Sequence, residues 1–391
     1  MKFGVFFELS VPRPFTREAE RKSVFDSIEQ AVLAEELGFD QCWNVEHHFL
    51  EEYSHSSAPE MFLTAVAMKT STIRLGHGIA VCVPEFSHPV RLAERAAMLD
   101  ILSDGRVEFG TGRSSTWLEL GGMGADPDMT KKSWSEFVDA IPKMWTTERF
   151  SFSGASFSMP ERNVLPKPVQ DPHPPLWVAV TAPGTELDAG ERGLGMLNLS
   201  FSAPLTVQEK KIADYRHRIQ NCEPAGLFVN DQVNVINWMH VHADRDVGIE
   251  RGLRLGDTFS YIAAQVLELK EAYPSTTYPR PGLLSGLRAD ATVRKESAAA
   301  PTERKKAPEG LLIGDPADAI AAIKRWESVG ADRIMCLLNA SDALTHEQVC
   351  ESMRLFAAEV MPHFRSACDD GPVLEVKVRP EAGPDLKVGA A

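Results

Sequence analysis

Eight short apolar runs, centred near positions 5, 42, 78, 108, 178, 198, 237 and 336, alternate with longer segments whose apolar residues recur every three or four positions. Runs of that length suit strands and that recurrence suits helices. A strand then a helix, repeated along the chain, predicts a parallel sheet, and eight strands is the number that closes such a sheet into a barrel. An open doubly wound sheet would want a G-x-G-x-x-G after its first strand, and residues 6–14 hold none. The expected fold is α/β: a single-domain (β/α)8 TIM barrel with insertion loops.

The first run, K-F-G-V-F-F-E-L from Lys2, is continuous, as expected for a strand covered on both faces. Further strands are expected at 40–45, 73–83, 107–110, 176–180, 196–201, 232–242 and 333–338. Helices are expected at 17–37, 59–69, 89–102, 130–145, 186–193, 206–222, 246–273, 316–329 and 346–361. Gly38 reads as a C-cap, Pro142 as a local irregularity and Gly256 as an interruption of the long helix. Residues 274–310 are rich in Pro, Ser, Thr, Ala and charge and have no usable period, so they read as a lid or as disordered. The barrel is assigned to 1–366, the mobile lid to 274–310 within it, and a disordered tail to 367–391.

Asp and Glu number 55 against 41 Lys and Arg, a formal charge of -14, which argues against nucleic acid or an anionic membrane as partner. A small-molecule substrate is expected instead. Six scattered cysteines without a C-x-x-C indicate neither a disulfide framework nor a zinc ribbon and fit the reducing cytoplasm. Residues 1–14 do not read as a signal peptide, and no window approaches 18 continuous apolar residues.

The chemistry-bearing stretch is W-N-V-E-H-H-F from Trp43 to Phe49. It leaves a strand at its C-terminal end, where parallel α/β folds place their chemistry. Glu46 either orients His47 or closes a salt bridge inside the barrel mouth. A metal site needs three or four convergent ligands, and nothing nearby completes one, so no metal is expected. His240 and His242 form an H-x-H whose spacing puts both rings on one strand face, read here as packed or solvated. In F-G-T-G-R-S-S, Gly112 would let backbone approach a ligand and Arg113 could fork onto a phosphate. Residues 181–185, T-A-P-G-T, join a strand to a helix, where N–H groups and hydroxyls either bind phosphate or simply cap the helix.

These pieces resemble the bacterial luciferase-like flavin monooxygenases in an ordered series along nearly the whole chain. The shared segments are E-L-G-F-D at Glu36, W-x-x-E-H-H-F at Trp43, H-P-V-R-L-A-E at His88 and L-D-I-L-S-D-G-R at Leu99. Further on come G-x-G-R at Gly110, V-A-V-T-A-P-G-T at Val178, E-R-G-L-G at Glu191 and G-D-P-A-D at Gly314. The resemblance implies an eight-stranded barrel that takes reduced FMN from a separate flavin reductase, activates O2 as a flavin hydroperoxide and oxygenates a small organic substrate. It also implies a homodimer through helices 59–69 and 89–102. The absence of a nucleotide-binding fingerprint agrees with an external source of reduced flavin.

By the same resemblance His47 is the active-site histidine, an imidazole titrating near 7 that gives or takes a proton, with Glu46 beside it. Arg113 matches a phosphate arginine. Lys131 stands opposite a second one, keeping the charge without the fork. Thr181, Ala182, Gly184 and Thr185 would complete the phosphate site, and Gly112 stands where bacterial luciferase has a reactive cysteine. The backbone of Gly78, Ile79 and Ala80 would lie along the isoalloxazine ring, often with a strained or cis peptide in relatives. Phe6, Trp117, Phe201 and Trp238, with Cys82 beside them, would wall the substrate pocket, although aromatic residues at strand ends are commonly core and Cys82 reads equally as a plain hydrophobe. Two rival classes share the barrel: a deazaflavin-dependent dehydrogenase, which transfers hydride without oxygen, and a non-catalytic flavin-binding subunit.

Overall fold

The structure is a computed structural model that describes residues 1–182, 184–199, 204–268 and 309–365. The eight barrel strands are β1 (Lys2–Phe7), β2 (Gln41–Asn44), β3 (Arg74–His77), β5 (Val107–Gly112), β8 (Leu176–Val180), β9 (Gly195–Leu199), β10 (Val233–Val241) and β12 (Arg333–Leu337). Each pairs in parallel with the next in that order, and β12 returns to β1 through Lys2↔Arg333 to Phe6↔Leu337, so the sheet closes. Closure leaves no open edge around the ring.

Among the described residues four short strands lie outside the ring. β4 (Ala80–Val81) continues β3 along β5, β6 (Phe150–Ser153) and β7 (Ser158–Arg162) form an antiparallel hairpin, and β11 (Leu312–Gly314) adds to the C-terminal end of β10. The uninterrupted strand expected at 73–83 is therefore corrected to two pieces that break at Gly78 and Ile79, just after the Gly78 N–H makes the last bond of the ladder to β2, on the Asn44 carbonyl at 2.7 Å. The described cis peptide bonds all precede proline, at Pro14, Pro166 and Pro172, so the 76–80 segment holds none.

The helices are α1 (Arg17–Glu36), α2 (Pro59–Ala67), α3 (Pro89–Leu102), α4 (Trp117–Met123), α5 (Thr130–Thr146), α6 (Thr185–Glu191), α7 (Leu205–Ile219), α8 (Arg245–Glu268), α9 (Pro316–Ser328) and α10 (His346–Glu359). Two expectations change. Pro142 lies inside α5, which runs through it. Gly256 does not interrupt α8 but lets Trp238 pack on it, since a Cβ there would stand 2.4 Å from the indole ring. The expected lid at 274–310 lies outside the described residues except for Glu309 and Gly310, as does the expected tail at 367–391.

The barrel interior is layered. At its N-terminal end the buried Glu108 carboxylate binds Arg74, the Trp177 indole N–H at 2.6 Å and Arg333 at 3.4 Å, tying β5 to β3, β8 and β12. Gln41 accepts from Trp43 at 2.5 Å and from Asn234 at 2.9 Å. Trp43 and Trp177 fill the middle edge to face, 5.6 Å apart. Gly76 makes room for them, because a Cβ there would stand 2.1 Å from the Trp43 ring. The lower half is thereby plugged, and space for chemistry is left to the loops at the C-terminal end.

Candidate functional site

Backbone conformation already marks that end. Of the seven described non-glycine residues with positive φ, six (Leu9, Phe49, Glu51, Ser114, Ser341 and Asp342) sit on loops that follow barrel strands. Such conformations persist only where the surroundings impose them. After β2 the chain folds back on itself. The Ser56 hydroxyl donates to Asn44 Oδ1 at 2.8 Å, and the His47 N–H donates to the Ser56 carbonyl at 2.8 Å.

This loop delivers His47 to a carboxylate that sequence reasoning missed. His47 Nδ1 lies 2.9 Å from Glu119 Oε1, on α4. Glu119 is fully buried and also accepts from the Ser114 hydroxyl at 2.7 Å, the Thr116 hydroxyl at 2.9 Å and the His48 N–H at 3.2 Å. The other face of the imidazole meets Glu8, whose Oε2 is 3.8 Å from His47 Nε2, and Tyr53, whose ring crosses it at 5.3 Å.

Burial works against a charged imidazole at His47, but the charge and hydrogen bond of Glu119, with Glu8 and Glu46 behind them, outweigh it and carry the ring to about 9. Burial likewise opposes ionisation of Glu119, and His47 with the two hydroxyls outweighs it, so that carboxyl is held below its ordinary range. The imidazole expected to titrate near 7 is thus carried above neutrality, an imidazolium at neutral pH with both ring nitrogens protonated, Nδ1 bonded to Glu119. The pair can hold a proton and deliver it.

Glu46 does not orient His47 by contact. Its Oε1 meets His48 Nε2 at 3.3 Å and its Oε2 accepts the Val81 N–H at 2.8 Å, which leaves it the second of its two expected roles, a salt bridge in the barrel mouth. The signal for Glu119 was present in T-W-L-E, where Thr116 caps α4 and an acid stands three residues on. That for Glu8 was an acid closing an apolar strand run.

Arg113 is half-buried directly after β5, at the same barrel end. Lys131 pairs with Asp188 on α6 at 2.7 Å, which holds it beside the loop carrying Thr181, Ala182, Gly184 and Thr185. The Gly184 N–H donates to Glu186 at 2.9 Å, while among the described residues, its chain neighbours aside, no heavy atom lies within 4 Å of where a Cβ on Gly184 would stand. At Gly112 a Cβ would stand 2.6 Å from the Ile79 side chain, so the position also packs Ile79.

Trp238 stands beside Phe259 of α8, which in turn meets Tyr53 at 5.6 Å, so these three rings join the imidazole to an aromatic wall, while Phe6 packs against Gly78. Trp117 belongs to a separate small cluster with Val81, Val83 and Leu120. Cys82 is core, its thiol pushed up by burial. Phe201 lies outside the described residues. His240 is buried within β10, which ends at Val241, while His242 lies just beyond it and accepts the Asp244 N–H at 2.9 Å. Among the described residues no group of three or more His, Cys, Asp or Glu could hold a metal ion.

Fold and site together define an α/β barrel oxidoreductase with a buried acid–histidine pair at its mouth. The chain belongs to the luciferase-like monooxygenase family, whose profile matches residues 1–333. It is 25% identical over 369 residues to the flavin-dependent trigonelline monooxygenase, oxygenase component, of Acinetobacter baylyi, covering 93% of this chain and 96% of that one. A 193-residue stretch is 33% identical to the uncharacterized protein y4wF of Sinorhizobium fredii, but it spans only about half of each, 49% of this chain and 54% of that protein. Among solved structures, monooxygenase RslO1 from Streptomyces bottropensis superposes with a TM-score of 0.73 at 26% identity, covering 93% of this chain and 100% of that one. An F420-dependent secondary alcohol dehydrogenase shares the fold at a TM-score of 0.66 and 18% identity, covering 93% and 99%.

Proposed function

We propose that this protein is a monooxygenase that binds reduced FMN delivered by a separate reductase and uses O2 to oxygenate a small organic substrate. The observation that carries this reading is the His47–Glu119 pair, a proton held at neutral pH at the mouth of a barrel of this family. The name of the Acinetobacter relative, an oxygenase component, supports the separate reductase. The donor set fits an FMN phosphate. Arg113 and Lys131 are cations at one end of the barrel, Thr181 and Thr185 offer hydroxyls, and the space over Gly184 is open.

Reduced FMN would supply the electrons that activate dioxygen. The protein's own contribution is to anchor the phosphate with Arg113, Lys131 and the 181–185 loop and to exclude water with Phe6, Trp238 and Phe259. His47 holds a proton on Nε2 while Glu119 fixes Nδ1. We place the protein in the cytoplasm, which its free cysteines Cys42, Cys82, Cys222, Cys336 and Cys350 support. No described helix is long and apolar enough to cross a membrane.

Anaerobic titration with reduced FMN and, separately, with reduced F420, followed by admission of air, tests the reading. Saturable binding of reduced FMN and oxygen uptake are expected. Binding of F420 alone, with hydride transfer that needs no oxygen, would instead establish the deazaflavin dehydrogenase.

We also propose a homodimer through α2 and α3. Met61, Met68, Met98, Ile101 and Leu102 expose apolar surface on or at the ends of these two helices, and Met61 is 73% exposed. Light scattering should give twice the chain mass for the wild type and one chain mass for a Met61→Glu, Met98→Glu variant. A monomeric wild type would contradict the proposal.

A further inference from the structure

Glu8 is the second carboxylate facing His47, on the side of the ring away from Glu119. It follows directly on β1 and is 5% exposed, and among the described residues its one ion-pair partner is the His47 imidazole. Its Oε1 accepts from the Tyr53 hydroxyl at 3.2 Å, while its Oε2, 3.8 Å from His47 Nε2, is buried without a hydrogen-bond partner among the described residues. A buried carboxylate oxygen left without a donor is costly unless its charge is variable or used.

A small polar cavity of about 40 Å³ adjoins it between the loops that follow β1 and β12. Glu8, Ser10, Asp26, Gln30 and His346 are among its lining residues. That volume admits a water molecule beside Glu8, with Phe6 and Phe7 also on its lining. The titratable groups around Glu8 are His47, Glu46 and Tyr53 on the loop after β2, Glu119 on α4, and Asp26 of α1 and His346 of α10 across the cavity. Burial pushes the Glu8 carboxyl up further than the His47 charge and the Tyr53 hydrogen bond bring it down, to about 7. Glu8 therefore changes charge in the neutral range while Glu119 and His47 keep theirs.

We propose that Glu8 is a positioning residue acting through His47: ionised, it locks the imidazolium proton on Nε2, and protonated, it releases that lock, exchanging its own proton with water in the polar cavity. The proposal deepens the proton-handling role read for the site. It concerns side chains whose titration needs no cofactor, so failure to bind reduced FMN would sink that reading and leave this one standing.

The test follows the His47 Cε1 proton by NMR against pH in the cofactor-free protein. The wild type should show a main midpoint near 9 with a smaller inflection near 7 from Glu8. Glu8→Gln should erase the inflection and lower the midpoint by about one pH unit or more, as loss of a nearby opposite charge does. Tyr53→Phe, which removes only a hydrogen bond to Glu8, should move the inflection upward, and it keeps the proposal testable if Glu8→Gln does not fold. A Glu8→Gln curve that superimposes on the wild type, or an inflection unmoved in Tyr53→Phe, would overturn it.

Discussion

Replacing Glu108 by alanine should cost the barrel about 3–5 kcal/mol, the usual penalty for stranding one member of a buried ion pair. Arg333 is 5% exposed and would lose its partner inside the ring, and the Trp177 indole N–H would lose its acceptor. Because these contacts join β3, β5, β8 and β12, the loss falls on closure itself. Urea denaturation of wild type and Glu108→Ala at neutral pH measures it, and a difference below about 1 kcal/mol would show that the pair carries little. The pH dependence has a definite sign. Burial opposes ionisation of Glu108, but Arg74, Arg333 and the Trp177 hydrogen bond outweigh it and hold the carboxyl below its usual value. A folded pKa below the unfolded one gives stability that is present above the ordinary carboxylate range and lost as pH falls through the folded value. Wild type should therefore lose stability in acid more steeply than the variant.

His47→Ala should lower the rate of oxygen-dependent product formation by about a hundredfold to ten-thousandfold, the range for removing a general acid or base, while binding of reduced FMN changes little. The expectation follows from position, since His47 alone presents Nε2 beyond the carboxylate that fixes Nδ1. A rate within threefold of wild type would remove His47 from the chemistry. Glu119→Gln supplies the companion result. Without that charge His47 gives up its proton at lower pH, so the alkaline fall in activity should move from near 9 toward neutrality.

The barrel was legible because strand-length apolar runs and helical periods are local patterns, and each strand could be placed within a few residues. The exceptions are positions where a distant contact overrides local preference. Gly256 looks like a helix break until Trp238 is seen against it, and the 73–83 run looks continuous until β3 is seen to end at His77 and β4 to resume along β5 at Ala80. The site was half legible. His47 could be read from its place at a strand end, but its charge state could not. That state is set by Glu119 and Glu8, which lie 72 residues ahead of it and 39 behind it and meet it only when the barrel closes. Glu46, next in sequence, was the natural candidate for a partner, yet its carboxylate goes to His48 and Val81.

The account turns on His47 being an imidazolium held by Glu119 at neutral pH. Ring ¹⁵N chemical shifts of His47 in the cofactor-free protein at pH 7.5 report this directly. Two protonated nitrogens are predicted, persisting until the pH approaches 9. One protonated and one bare nitrogen at pH 7.5 would contradict the account and return His47 to the role of a neutral base.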